Sequence, residues 1–181
     1  MLFTGNVTKE KGAGLLVESL SYIKDDLHPF IELRFVGKGN DEYIRHLKDL
    51  IKNLNLLMPI IFVGEVPHEQ IYKHYLESDI FVFPSFHEGM SLSLLEAMGA
   101  SLPVVASNIC ANSALIADGY NGLLFEQGVP EHLAQCLERI ILDRNLQFYL
   151  GNNAYNFIKT YSWDRISNRY LEVFDAYAKR R

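Results

Sequence analysis

The sequence predicts an α/β domain, a doubly wound parallel sheet of about six strands closed by a helical C-terminal tail. Three observations carry that expectation. Short apolar runs at 1–5, 31–37, 59–64, 79–84, 102–106 and 122–125 are continuous rather than alternating, as strands covered on both faces are. Amphipathic stretches near 11–24, 41–55, 68–78, 91–99 and 111–118 lie between them, each long enough for a crossover helix. From residue 130 onward the pattern is helical only and ends in SWDRISNRYLEVFDAYAKRR. No internal repeat or low-complexity linker interrupts it, so residues 1–181 read as one domain.

Composition narrows the class. A chain of 181 residues, 49% of them hydrophobic, can enclose its own core without disulfides or metals. A formal net charge of −5 argues against a nucleic-acid partner, which would want a basic face. Cys110 and Cys136 lie far apart without metal-ligand spacing and read as two reduced thiols of a cytoplasmic protein. No apolar run approaches the roughly 18 residues of a membrane span. The opening MLFTGNVTKEKG shows no basic leader or cleavage site and enters a strand at once, as though cut at a domain boundary.

The carboxyl ends of the strands hold the polar signal. The first three runs terminate in Gly5, Gly37 and Gly64, the fourth enters PSFHEGMS and the fifth SNICANS. Ligands of open α/β sheets bind outside those ends, and glycine there lets backbone approach a ligand. The plainer reading, that each glycine only makes a turn, applies to any one of them. Three in succession followed by two polar loops favour a pocket.

The segment 91–99, SLSLLEAMG, is apolar almost all round, which predicts a buried helix. Glu96 falls on the same face as Leu95, where a carboxylate is costly without a hydrogen-bonding partner. That partner is either a structural group of the protein or a ligand hydroxyl or amide. Ser91 is positioned to cap the helix, and the turn Glu88-Gly89-Met90-Ser91 leaves backbone N–H groups at the positive end of its dipole. Such an end suits a phosphate.

PSFHEGMSLSLLEAMGASLPVVAS resembles the signature of the retaining glycosyltransferases of family 4, whose GT-B fold sets two Rossmann-like domains face to face. Its two signature glutamates are separated by seven residues, as Glu88 and Glu96 are. GNVTKEKG, RFVGKGN, IIFVGEVPHEQIYKHYLESDIFVFPS, NGLLFEQGVPEHLAQCL and YSWDRISNRYLEVF resemble further family segments in order.

The resemblance implies a nucleoside-diphosphate sugar as donor. Glu96 would accept from the ribose hydroxyls and Glu88 would hold the donor sugar. Backbone N–H groups of Gly89, Met90, Ser91 and Leu92 would meet the phosphates, with Gly5, Asn6 and Gly37 lining the site and Val66 meeting the nucleobase. Lys11 would stabilise the departing diphosphate, where preorganised cations and N–H dipoles lower the barrier. The resemblance implies no cofactor and no metal: Asp25-Asp26 sits in a polar loop rather than at a strand end. Two carboxylates also suit glycoside hydrolysis, but a helix-borne Glu96 beside a phosphate site fits it poorly.

The acceptor-binding N-terminal domain is expected to be missing, so the chain alone is expected to be inactive. Weak peripheral membrane contact through that domain is compatible with the sequence. Trp163, Tyr170 and Phe174 lie on the tail at helical spacing, either as ordinary core or as a lost interface. Three departures stand out: Asn6 where the family has arginine, Cys110-Ala111 in place of its glycine pair with Ser113 and Ala114 where proline and glutamate are common, and Ser91 in place of the turn's second glycine. They keep a second class open, a catalytically degenerate nucleotide-binding subunit or interaction module. The paired signature glutamates argue against a sugar-nucleotide epimerase.

Overall fold

The structure, a computed structural model, describes residues 1–161 and 163–178. The elements follow in order as β1 (Leu2–Thr4), α1 (Ala13–Leu20), β2 (Leu33–Val36), α2 (Asp41–Asn53), β3 (Ile60–Gly64), α3 (His68–Leu76) and β4 (Phe81–Phe83). Then come α4 (Leu92–Gly99), β5 (Val104–Ser107), α5 (Cys110–Ser113), β6 (Leu123–Phe125), α6 (Pro130–Leu142), α7 (Arg144–Ile158) and α8 (Trp163–Ala178). All six strands are parallel, in the order β3-β2-β1-β4-β5-β6. This is the strand order of Rossmann-like sheets, with its reversal between β1 and β4.

Register explains why the strands are apolar on both faces. Phe3 pairs beside Phe35, and Phe35 beside Phe62, with ring centroids 5.2 and 5.0 Å apart. One residue along, Leu2 pairs beside Phe81 and Phe81 beside Val104 on the opposite face. The phenylalanine row shares a core with Leu16, Leu20, Leu47 and Leu137, under α1, α2 and α6. The other row packs with Tyr75, Leu94, Met98 and Ala154, under α3, α4 and α7.

Each strand is shorter than its apolar run, starting one or two residues later, and β1, β2 and β4 also stop one residue sooner. Gly5 N–H still donates to Val36 O at 2.9 Å and Gly37 N–H to Gly64 O at 2.8 Å, which pins the strand ends together. The expected helix over 111–118 shrinks to the single turn α5. Buried Asn121 takes the backbone beyond it, accepting from Ala117 N–H at 2.8 Å and donating to Leu115 O at 3.0 Å. Helix α4 is buried on one side only, through Leu94, Ala97 and Met98; Leu92 stands 62% exposed at its mouth. The expectation of a helix buried all round is therefore corrected.

Two glycines fix how closely the loops meet. A Cβ on Gly37 would lie 2.1 Å from the Gly5 carbonyl oxygen, so the ends of β1 and β2 approach only without a side chain there. A Cβ on Gly12, whose φ is +75°, would lie 2.0 Å from the Pro84 carbonyl oxygen. The loop after β1 thus lies directly on the end of β4. Gly12→Ala is expected to lower the unfolding free energy by about 2–5 kcal/mol, from left-handed strain and overpacking together. Gly64→Ala, also at positive φ but with open space around it, should lose only about 1–2 kcal/mol. Urea denaturation of the two variants checks this; equal losses would show that the Gly12–Pro84 contact yields cheaply.

Candidate functional site

The strand order places the site before any side chain is considered. In sheets of this order ligands bind outside the carboxyl ends of the strands beside the reversal, which here falls between β1 and β4. The loop after β1 carries Lys11 and the loop after β4 carries Glu88. Phe86 N–H donates to Glu10 O at 2.9 Å, tying the two loops together beside the Gly12–Pro84 contact.

Lys11 and Glu88, 77 positions apart in sequence, meet here. Lys11 Nζ lies 2.6 Å from Glu88 Oε1, and Ser85 Oγ donates to the same oxygen at 2.6 Å. The Glu88 side chain is only 8% exposed while that of Lys11 is 34% exposed, so the ammonium faces solvent over a sheltered carboxylate.

Glu96, about one turn along α4, has a protein partner. The Tyr75 hydroxyl donates to Glu96 Oε2 at 2.9 Å and lies 2.8 Å from Thr4 Oγ1. Burial, reinforced by the Glu96 charge, raises the Tyr75 phenol well above its usual range, so it stays protonated and gives its proton to the carboxylate. Thr4 must then be the donor in the second bond. Glu96 is half-buried rather than enclosed on an apolar face, because α4 turns that side toward a hollow. The hollow, about 310 Å³, is lined by His68, Ile71, Tyr72, Tyr75, Glu96 and Gly99. A larger one of about 480 Å³ near Met1, Glu32, Arg34 and Asp79 lies at the amino ends of the strands, away from the crevice.

The mouth of α4 is open. Met90 and Leu92 are exposed and Gly89 has nothing within 4 Å of where a side chain would be. Ser91 does not cap its helix, contrary to expectation: its hydroxyl turns inward and donates to Asn112 Oδ1 at 3.2 Å. Among the described residues, the first-turn N–H groups of Leu92 and Ser93 have no acceptor. Gly5 and Gly37 stand at the ends of β1 and β2, exposed Asn6 follows Gly5, and half-buried Val66 follows β3. The structure therefore brings Lys11, Glu88 and Ser91 around one crevice, with Glu96 further along the same helix.

Tyr75, Thr4, Ser85, Ser107 and Asn112 went unnoticed in the sequence. A tyrosine at helical spacing reads as core, and serines near strand ends read as turns. Among the described residues no group of three His, Cys, Asp or Glu side chains stands close enough to hold a metal ion, and no helix is long and apolar enough to cross a membrane. Cys110 is exposed, Cys136 is buried, and both thiols are free. Along α8, Tyr170 and Phe174 are exposed and stacked at 6.4 Å, so they are not core; the side chain of Trp163 lies outside the described residues.

At its strand-order reversal the doubly wound sheet carries the Lys11–Glu88 pair and an open helix mouth, the kind of place where α/β domains hold their ligands. The sequence pattern of the family described as glycosyl transferases group 1 matches residues 1–157, and the chain belongs to that family. It is 33% identical over 177 residues to an uncharacterised glycosyltransferase of Methanocaldococcus jannaschii, covering 97% of this chain and 44% of that relative. The C-terminal domain of a glycosyl transferase group 1 family protein, LpcC, from Francisella tularensis superimposes with a TM-score of 0.80 at 26% identity, over 88% of this chain and 84% of that one. Anabaena HepE, solved in complex with UDP, shares the fold with a TM-score of 0.84 at 21% identity, over 97% of this chain and 48% of HepE. The fold is that of the Rossmann-like domains of GT-B glycosyltransferases.

Proposed function

We propose that this chain is the donor-binding domain of a retaining glycosyltransferase of family 4, which moves a sugar from a nucleoside-diphosphate sugar to an acceptor in glycan or polysaccharide biosynthesis. The observation that carries the reading is the meeting of Lys11 and Glu88 at the strand-order reversal, beside the open mouth of α4. That HepE was solved with UDP supports a nucleotide donor.

In this reading the N–H groups at the α4 mouth, with Met90, Ser91 and Leu92, receive the phosphates. Lys11 offsets the negative charge that develops on the diphosphate as the anomeric C–O bond breaks. Glu88, held by Ser85, presents a carboxylate to the sugar hydroxyls. Glu96 uses one oxygen on Tyr75 and keeps the other for the ribose. The nucleobase lies toward Val66. The reaction asks no metal of this chain, and the protein is cytoplasmic, with any membrane contact made through the rest of the enzyme.

Since the chain spans 44% of its archaeal relative, we take the acceptor domain to lie in the remainder of a longer protein. The apolar face of α8, where Tyr170, Leu171, Val173, Phe174 and Tyr177 are all exposed, suits a surface that packs on that domain. Asn6 favours a second reading, a nucleotide-binding subunit without transfer activity, because it leaves Lys11 without a neighbouring arginine.

Ligand-observed NMR against UDP, GDP and ADP is the first test, and silence from all three would remove the pocket assignment. Glu96→Ala should weaken binding of the active nucleotide by about 1.5–3 kcal/mol, the range for hydrogen bonds to a charged group. The 2′,3′-dideoxy analogue should be spared; an equal loss for both would make Glu96 structural.

Lys11→Ala should harm nucleoside diphosphates far more than nucleosides, and binding by the unaltered chain should persist in EDTA. A strict magnesium requirement would overturn the leaving-group role given to Lys11.

The chain alone should show no sugar transfer, because without a held acceptor the positional advantage of up to roughly 7–11 kcal/mol is largely forfeited. Restoring the remainder of the enzyme in cis or in trans should produce acceptor-dependent nucleotide release. Turnover by residues 1–181 alone would refute the half-enzyme reading, and none in the restored enzyme would favour the binding subunit.

A further inference from the structure

Four polar side chains at the carboxyl ends of β4 and β5 are buried: Ser85, Ser91, Ser107 and Asn112. Such groups are costly unless each finds a partner, and here they satisfy one another. Asn112 Nδ2 donates to Ser107 O at 3.0 Å and to Ser107 Oγ at 3.2 Å. Ser107 Oγ in turn donates to Ser85 O, and Ser85 Oγ to Glu88 Oε1. On its other side Asn112 Oδ1 accepts from Ser91 Oγ at 3.2 Å.

The amide's orientation follows from this arrangement. A carbonyl oxygen, Ser107 O, can only accept, so the nitrogen of Asn112 must face it and the oxygen must face Ser91. Ser91 therefore spends its one proton on Asn112, which turns its hydroxyl away from the helix it precedes. That inward bond is the reason α4 lacks a side-chain cap. It holds the 88–93 turn against β5 while leaving the N–H groups of Leu92 and Ser93 free for an outside acceptor.

Both partners belong to places where the chain departs from the family pattern. Ser91 replaces the turn's second glycine, and Asn112 stands between Cys110-Ala111, which replace the glycine pair, and the departures at Ser113 and Ala114. One departure is thus bonded to the residue that separates the others.

We propose that Asn112 is a positioning residue for the nucleoside-diphosphate site, acting through Ser91 to fix the phosphate-facing turn at the mouth of α4. The inference rests on the donor-binding reading above. The same network also grips Glu88 through Ser85, so one buried array sets the turn and the carboxylate relative to each other. On this account Ser91 and the 110–114 segment are a matched pair rather than signs of decay.

The test uses Ser91→Ala, Asn112→Ala and the double variant, with two readouts. Amide hydrogen exchange without ligand should accelerate at Leu94 and Leu95, whose N–H groups donate to Ser91 O, in each variant while β1 and α6 stay protected. Affinity for UDP, GDP or ADP, whichever binds the unaltered chain, should fall about 3–10-fold in each single variant, as expected for losing one buried hydrogen bond. The matching nucleoside should lose nothing, and the double variant should be no worse than the poorer single one. Unchanged exchange at Leu94 and Leu95, equal losses for nucleoside and diphosphate, or additive losses would each overturn the proposal. If Asn112→Ala does not fold, Ser91→Ala alone decides, since it removes only a hydroxyl. If no nucleotide binds the unaltered chain, the donor-binding reading fails, and with it the role in the site. The exchange result then reports separately whether Asn112 holds the turn.

Discussion

The site depends on the loop after β1 lying flat on the end of β4. That crossing is possible because position 12 has no side chain, for any Cβ there would overlap the Pro84 carbonyl oxygen. Everything polar follows from it. Lys11 is the residue before the crossing and Glu88 lies four residues beyond Pro84, so the two loops deliver an ammonium and a carboxylate to one point. The parallel strand order supplies the crevice, and the glycine decides which side chains meet in it.

The sheet was legible because a strand covered on both faces must be apolar throughout, and six such runs stand out from amphipathic helices. Strand bounds differ from the apolar runs by up to two residues, since an apolar run does not say where ladder pairing begins and ends. The shortened α5 was hidden for another reason. Asn121 competes with the helix for the backbone of Leu115 and Ala117, and a helical pattern does not reveal that competition. Glu88 and Glu96 emerged from their places at the mouth and in the body of one helical segment, and Lys11 from the family resemblance. Most of their supports did not, because Tyr75, Ser107 and Asn112 act across 18 or more positions or through backbone atoms, while Ser85, three residues from Glu88, looks like an ordinary turn serine.

Glu96 illustrates how a correct suspicion met an incomplete answer. The sequence posed a choice between a structural partner and a ligand for a costly carboxylate. The structure provides a structural partner for one oxygen, Tyr75 with Thr4 behind it, and a hollow on the helix flank beside it. A carboxylate has more acceptor capacity than one phenol fills, so the two alternatives are compatible. Tyr75 removes one orientation from the side chain's freedom, and a group already oriented loses less entropy when it takes up a ligand hydroxyl.

The Lys11–Glu88 pair carries a consequence of the same kind. A carboxylate as sheltered as Glu88 needs compensation, and Lys11 and Ser85 together supply it. Under the proposed function an incoming diphosphate and Glu88 both attract the same ammonium. Nucleotide binding then weakens the Lys11–Glu88 attraction just where the sugar arrives. Ser85 keeps the carboxylate in place during that exchange, because its backbone carbonyl accepts from the buried Ser107 hydroxyl while its own hydroxyl donates to Glu88. The released oxygen is left seeking donors, and sugar hydroxyls are donors. On that reading a single shared cation connects occupancy of the phosphate subsite to readiness of the sugar subsite.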